Sequence, residues 1–351
     1  MSTTIDSHSA SREAEKPYDS DRNVSHVGVS ASISDSILKT LLYFDIFGYP
    51  LRLPEIYQFL PTSTVALADL RLACYSHPLK SRVSVRDEHY FLRERPESCV
   101  DDRKLKERRA QRLWLAAKIM SRIIRTFPYV RAVFISGELS KGIASENADV
   151  DFFIIAAHNR VWIVRTLCAA FKRVFLFNKR KFFCYNHIVS ERRLEVTERN
   201  IYTAIETVTL KPMWNKELFE KFLECNSWTN EYLPNWHAKE PGSLEGPSGH
   251  PMLERIVEAL MSHEALDALD QRLLTKWRQA WMRRYPSLTP AKREELFQCT
   301  SDLSTSYVGD FCQRIMHQYN QNLELYGIVP IRTESQPEAT EPQRLELLEK
   351  R

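Results

Sequence analysis

The chain has 351 residues, 43% of them hydrophobic and 27% charged, with 49 Lys plus Arg against 45 Asp plus Glu for a net charge of +4. This composition excludes collagen-like, silk-like and low-complexity classes, and it supplies no bulk charge from which nucleic-acid binding follows. Glycine is scarce, nine in all against roughly 7% in ordinary soluble chains, so each one marks a place where backbone turns or is closely approached.

Seven cysteines, an odd number without a C-x-x-C pair or a Cys/His ligand spacing, read as thiols of a reducing compartment. No run of about 18 apolar residues occurs, and the polar N-terminus lacks the apolar core of a secretory signal. The expectation is a cytoplasmic protein without membrane insertion.

Residues 1–32 carry hardly any large apolar side chain and are expected to form a disordered tail. From Ser34, read as an N-cap, the spacing of Ile37, Leu38, Leu41, Leu42 and Phe44 predicts a helix that stops at Gly48. Residues 53–60 and 64–75 read as a second and third helix, and residues 81–93 alternate around the turn signal Asp87-Glu88 as a β-hairpin. Three helices followed by a hairpin over residues 33–98 resemble a winged-helix-like module. Packing is the favoured role over DNA binding, because the third helix carries only Arg71 as a base-reading cation. Arg82, Arg86, Arg93 and Arg95 in the hairpin suit either phosphate contact or protection of a sheet edge.

Residues 99–128 form the next unit, a basic connecting helix over 101–127 with nine Lys or Arg against three acids. Leu105, Leu113, Ala116, Ile119, Met120, Ile123 and Phe127 supply its apolar stripe, so its cations read as the wet face of an amphipathic connector.

Residues 130–136 are an apolar strand-like run that feeds into Ser136-Gly137-Glu138-Leu139-Ser140-Lys141-Gly142, where two of the nine glycines stand five residues apart. Asp149-Val150-Asp151 follows and continues into the strand-like Phe152-Phe153-Ile154-Ile155. Residues i and i+2 of a strand share a face, so Asp149 and Asp151 project together while Val150 and Phe152 turn to the core. Two carboxylates that close repel by roughly 2 to 3 kcal/mol at an effective dielectric near 20, a cost relieved by protonation or, more usefully, by a divalent cation bridging both. One or two carboxylates plus phosphate oxygens suit Mg²⁺. Gly137 permits close backbone approach, the N–H groups of the loop can cradle an anion, and Lys141 offers a compensating cation.

The segment from Gly137 to Asp151, with Gly142-Ile143-Ala144-Ser145-Glu146-Asn147-Ala148 between, resembles the nucleotidyltransferase superfamily of the DNA polymerase beta type, in its minimal members. The resemblance implies an α+β fold, a nucleotidyltransferase-like mixed sheet with flanking helices over residues 129–238. It implies transfer of a nucleoside monophosphate from an NTP to an acceptor hydroxyl, with release of pyrophosphate and with Mg²⁺ or Mn²⁺ as cofactor. Carried over, Asp149 and Asp151 are the catalytic metal ligands, Gly137 is the turn glycine, and Ser140, Lys141 and Gly142 lie against the phosphates. Two positions depart from the family pattern. Glu138 stands where a small residue follows the first glycine, and the expected strand over residues 181–189 carries no third acid. Asn186 on that strand and Glu195 in the strand-like Arg193-Leu194-Glu195-Val196 are the candidates for that place. The alternative function, which these departures allow, is a catalytically inactive binding or regulatory protein of the same fold.

Residues 159–177 predict a helix packed on the sheet through Trp162, Leu167 and Phe171, and His187 on the following strand reads as structural. Residues 198–210 and 217–225 are further helices, and Trp228, Tyr232 and Trp236 at four-residue spacing read as core. Residues 239–250, with three glycines, read as a linker, residues 251–330 as a helical region, and residues 331–351 as a flexible tail. The expected partners are an NTP and an unidentified acceptor (a small hydroxylated metabolite, a protein side chain or an RNA 3′ end), and nucleic acid is not favoured as a binding partner.

Overall fold

The computed structural model describes residues 22–62, 65–179, 181–237, 252–289, 297–305 and 311–330. The expected linker at 239–250 and tail at 331–351, and the first 21 residues of the expected N-terminal tail, lie outside the described residues.

Helix α1 (Arg22–Asp45) begins ahead of Ser34, which is not its cap but a buried residue within it. Ile37, Leu38, Leu41, Leu42 and Phe44 are all buried, and the chain leaves the helix through Gly48 at φ +56. Strand β1 (Leu51–Arg52) leads into α2 (Leu53–Gln58), where Pro54 occupies the first turn and the Glu55 carboxylate accepts from the Arg52 N–H at 2.7 Å. Helix α3 (Leu67–Tyr75) precedes β2 (Val83–Arg86) and β3 (His89–Leu92), joined through Asp87 and Glu88 with φ of 50 and 59. Those values are the left-handed pair that a two-residue hairpin needs to match strand twist. The resulting sheet is antiparallel, in the order β1-β3-β2.

Helix α4 (Ser98–Ile124) joins this unit to a second sheet. Ala110, Ala117, Met120 and Ile124 pack it onto that sheet, whereas Leu105 and Ile119, expected in its stripe, face solvent. The reading of its cations as a wet face fails at Arg103, which is buried. The Arg103 guanidinium donates to Glu55, to Glu107 and to the Pro50 carbonyl, and lies 3.9 Å from the centre of the Tyr49 ring. A buried charge is tolerated when it is paired and hydrogen-bonded in this way.

The second sheet has five strands, β4 (Val130–Ser136), β5 (Asp151–Ala156), β6 (Cys184–Ser190), β7 (Lys211–Trp214) and β8 (Leu303–Thr305). Their order is β7-β4-β5-β6-β8, and the sheet is mixed: β5 and β6 run parallel, the other neighbours antiparallel. The parallel pair requires a crossover, supplied by α6 (Val161–Phe175). Val133, Ile135, Phe152, Ile154 and Ile188 form one face of the sheet, packed with α4, α6 and α11 (His263–Arg284). Phe134, Phe153, Ile155 and Val189 form the other, closed by Phe219 and Phe222 of α8 (Lys216–Cys225).

The short helix α5 (Gly137–Ser140) follows β4. Helices α7 (Ile201–Val208) and α9 (Thr229–Tyr232) pack against α1 and α12 (Phe311–Leu325), and α10 (Met252–Leu260) precedes α11. Trp228 is buried with its ring edge-on to Tyr232, and Trp236 lies on Phe59. Two expectations change. Residues 193–196 are not a strand, and the segment past residue 251 is not purely helical, because it contributes β8 to the central sheet. Among the described residues, no helix is long and apolar enough to cross a membrane.

Candidate functional site

Strand β4 ends at Ser136, and Gly137 turns the chain at φ +68. Ser136 is the antiparallel partner of Asp151, the first residue of β5, so the turn and the carboxylate meet across the sheet. A Cβ built on Gly137 would stand 2.6 Å from Asp151 Oδ2. Only glycine satisfies both the positive φ and that contact.

Val150 is buried, its N–H donates to the Lys181 carbonyl and its own carbonyl accepts from Cys184 N–H. Strand β5 begins at Asp151, so Asp149, expected on the same strand, lies just ahead of it, near enough for its charge to act on the Asp151 carboxyl. Both are partly buried. The β5–β6 register shifts between the Asp151↔Cys184 and Phe153↔His187 pairs. This irregularity brings Cys184 and Asn186 to the same carboxylate: Asn186 Nδ2 lies 3.5 Å from Asp151 Oδ1, and the Cys184 thiol donates to it.

Burial pushes the Asp151 carboxyl up from its ordinary 3.8 to about 6, with Asp149 and Glu206 pushing the same way and the Cys184 bond and Lys141 opposing. The Cys184 thiol is pushed up to about 12, by burial first and then by Asp151. Lys141 Nζ donates to Glu206 Oε1 at 2.8 Å and to the Gly137 carbonyl at 3.2 Å. Its charge is thus held at the loop, bound to an acid on α7.

The other expected contacts differ in placement. The Ser140 hydroxyl turns inward, donating to the Gly137 carbonyl at 2.8 Å, and the residue is buried. Gly142, at φ +78, is exposed, and a Cβ there would meet nothing within 4 Å. Glu138 is exposed, and its carboxylate accepts from the Ser145 N–H at 2.6 Å, which ties it to the following loop. Of the candidates for a third group, Asn186 stands at Asp151, whereas Glu195 pairs with Arg199 at 2.7 Å on the segment after β6. His187 stacks on Phe153 at 4.4 Å between ring centres, and burial lowers its pKa to about 4.

Two groups at the site escape a reading of the sequence. Glu206 is one helix position among many, and nothing local signals its approach to Lys141. The Tyr49 hydroxyl donates to the Lys141 carbonyl at 3.1 Å, from a residue 92 positions away.

The donor set at Asp149 and Asp151 is two hard carboxylates, one of them short of compensating charge. That suits a Mg²⁺ ion, which binds through one or two carboxylates and completes its shell with water and phosphate oxygens. Among the described residues, no group of three or more His, Cys, Asp and Glu side chains is placed to hold a metal ion. Compared with protein-family models, with curated proteins and with solved structures, the chain matches none.

Proposed function

We propose that the chain is a divalent-metal-dependent nucleotidyltransferase that joins the nucleoside monophosphate of an NTP to an acceptor hydroxyl. The observation that carries this reading is the seating of the Asp151 carboxylate against Gly137 where antiparallel strands β4 and β5 meet, with Asp149 just ahead of β5. A buried carboxylate with a second one beside it is an electrostatic demand for a cation. When bound, Mg²⁺ or Mn²⁺ supplies charge neutralisation for a triphosphate and for the developing negative charge of an in-line displacement.

The chain's own groups then have distinct tasks. Asp149 and Asp151 present oxygen ligands. Cys184 and Asn186 fix the direction of the Asp151 carboxylate through their hydrogen bonds. Gly137 provides the room for it, and the Lys141–Glu206 pair fastens the turn to α7. In the reaction, the acceptor oxygen bonds to the α-phosphorus as the bond to the pyrophosphate oxygen breaks, and the acceptor proton leaves to solvent.

A second reading, a binding or regulatory protein that holds the nucleotide without turnover, is favoured by one observation: the β6 side chain 3.5 Å from the Asp151 carboxylate is Asn186, a neutral group and not an acid. The winged-helix-like arrangement of residues 33–98 serves packing in either reading. All four hairpin arginines are engaged within the chain: Arg82 with the Tyr326 carbonyl, Arg86 with Asp101, Arg93 with the Lys80 carbonyl and Arg95 with Asp45.

Calorimetric titration of Mn²⁺ and an NTP tests the site. Binding of the nucleotide that needs the metal and is lost in Asp149→Ala and Asp151→Ala supports the metal-ligand assignment, and equal binding by parent and variants overturns it.

A further inference from the structure

The last turn of α6 and the chain leading from it to β6 expose an unusual set of side chains. Val174 is 62% exposed, Phe175 66%, Phe177 81% and Phe182 41%. Large apolar groups gathered on one short segment mark an interaction surface, whereas single exposed ones do not. Phe177 also sits at φ 47, followed by Asn178 at φ 61, in a turn closed by the Lys179 N–H donating to the Leu176 carbonyl at 2.8 Å. A bulky residue is disfavoured in the left-handed region. At 81% exposure, its own packing does not compensate that strain.

Charge identifies what the segment meets. Arg173, Lys179 and Lys181 are all exposed around these apolar groups. No Asp or Glu occurs between Asp151 and Glu191, so no acid within that stretch of sequence answers them. Exposed apolar groups interleaved in sequence with exposed cations have the chemistry of a bilayer interface: the apolar groups enter the acyl boundary and the cations meet anionic headgroups. A single-stranded nucleic acid is the weaker fit. Stacking platforms lie along grooves that cover part of each ring, whereas Phe177 is 81% exposed and Val174 has no ring to stack.

We propose that the end of α6 and its connection to β6 dock the protein peripherally on an anionic lipid surface, through Phe175, Phe177 and Phe182 with Lys179 and Lys181. The proposal is independent of catalysis. It does place the carboxylates near the lipid, since Lys181 and Cys184 are hydrogen-bonded to Val150 between them.

Co-sedimentation of the full chain with vesicles of phosphatidylcholine, with and without phosphatidylserine, tests it. The expected result is binding to the phosphatidylserine vesicles that weakens with added salt and is at least about tenfold poorer on phosphatidylcholine alone. The pair Lys179→Glu and Lys181→Glu lowers that binding about tenfold or more. The pair Phe177→Asn and Phe182→Ser lowers it comparably, and Phe177→Asn does not lower the thermal midpoint, because asparagine tolerates the left-handed turn. Three results overturn the proposal: no binding to phosphatidylserine vesicles at low salt; binding that neither pair changes; or a single-stranded oligonucleotide bound through these residues while vesicles are not.

Discussion

The hydroxyl of Tyr49 donates to the carbonyl of Lys141, so the N-terminal three-stranded unit reaches directly into the glycine loop of the central sheet. The same ring lies against the buried Arg103 guanidinium. Removing only the hydroxyl, by Tyr49→Phe, keeps the ring on Arg103 and deletes the tie to the loop. We expect a loss of about 1 kcal/mol in unfolding free energy, with hydrogen exchange at residues 138–143 accelerated more than elsewhere. Uniform exchange across the chain would show that the tie does not hold the loop.

Arg103 is the larger test of the same junction. It is 2% exposed and paired with both Glu55 and Glu107. Arg103→Ala takes from Glu55 its charged partner and empties a buried site, while Glu107 keeps Arg52, and is expected to cost roughly 3 to 5 kcal/mol in urea unfolding. A loss below about 1 kcal/mol would mean that the pairing contributes as a surface bridge does.

Gly137→Ala introduces a Cβ 2.6 Å from Asp151 Oδ2 at a backbone φ of +68. The expected cost is roughly 1 to 3 kcal/mol from left-handed strain, together with displacement of the carboxylate and loss of metal-dependent nucleotide binding. The matched substitution Gly142→Ala shares the positive φ but meets open space, so it is expected to cost stability without costing binding. Equal loss of binding in both would remove the contact with Asp151 as the reason for Gly137.

Asp151 makes stability depend on pH in a definite direction. Its folded pKa of about 6 lies above the ordinary 3.8, so ionisation opposes folding above about pH 6 and ceases to matter below about pH 4. Asp151→Asn is therefore expected to be more stable than the parent by roughly 2 to 3 kcal/mol at pH 8. That advantage shrinks as pH falls and vanishes near pH 4. Denaturant unfolding of both proteins across this range checks it; a constant difference would contradict the linkage.

The hairpin turn offers a gain. Glu88 holds φ 59 beside Asp87 at φ 50, and Glu88→Gly relieves the strain at the second position of the turn. Left-handed strain of roughly 1 to 2 kcal/mol is relieved against roughly 0.5 to 1 kcal/mol of added chain entropy, so stability is expected to rise by up to about 1 kcal/mol, read as a higher thermal midpoint.

How much of this was legible follows from the range of the forces involved. Strands β4 and β5 and the turn at Gly137 are written locally, as apolar runs punctuated by glycine and by Asp149 and Asp151. The hairpin announced itself through alternation around Asp87-Glu88. Strand β7 did not, because Lys211–Trp214 is four residues long and contains Pro212, which only an edge strand tolerates. Strand β8 is three residues paired with β6 from more than 100 positions away, a pairing no local pattern encodes. At the site, Asp149, Asp151 and Gly137 could be read from spacing, and Asn186 from its strand. Glu206, Tyr49 and the exposure of Phe177 depend on how distant helices and turns pack, and the burial of Arg103 reversed the simple rule that a helix's cations face water.

The central claim is that Asp149 and Asp151 hold the metal for nucleotidyl transfer. Its most direct test is incubation of the protein with Mg²⁺ or Mn²⁺, α-labelled NTPs and an unfractionated cell extract, beside Asp149→Ala and Asp151→Ala. The account predicts label transferred to an acceptor by the parent and by neither variant. Equal labelling by all three proteins, or metal-dependent nucleotide binding by the parent with no transfer, would contradict it.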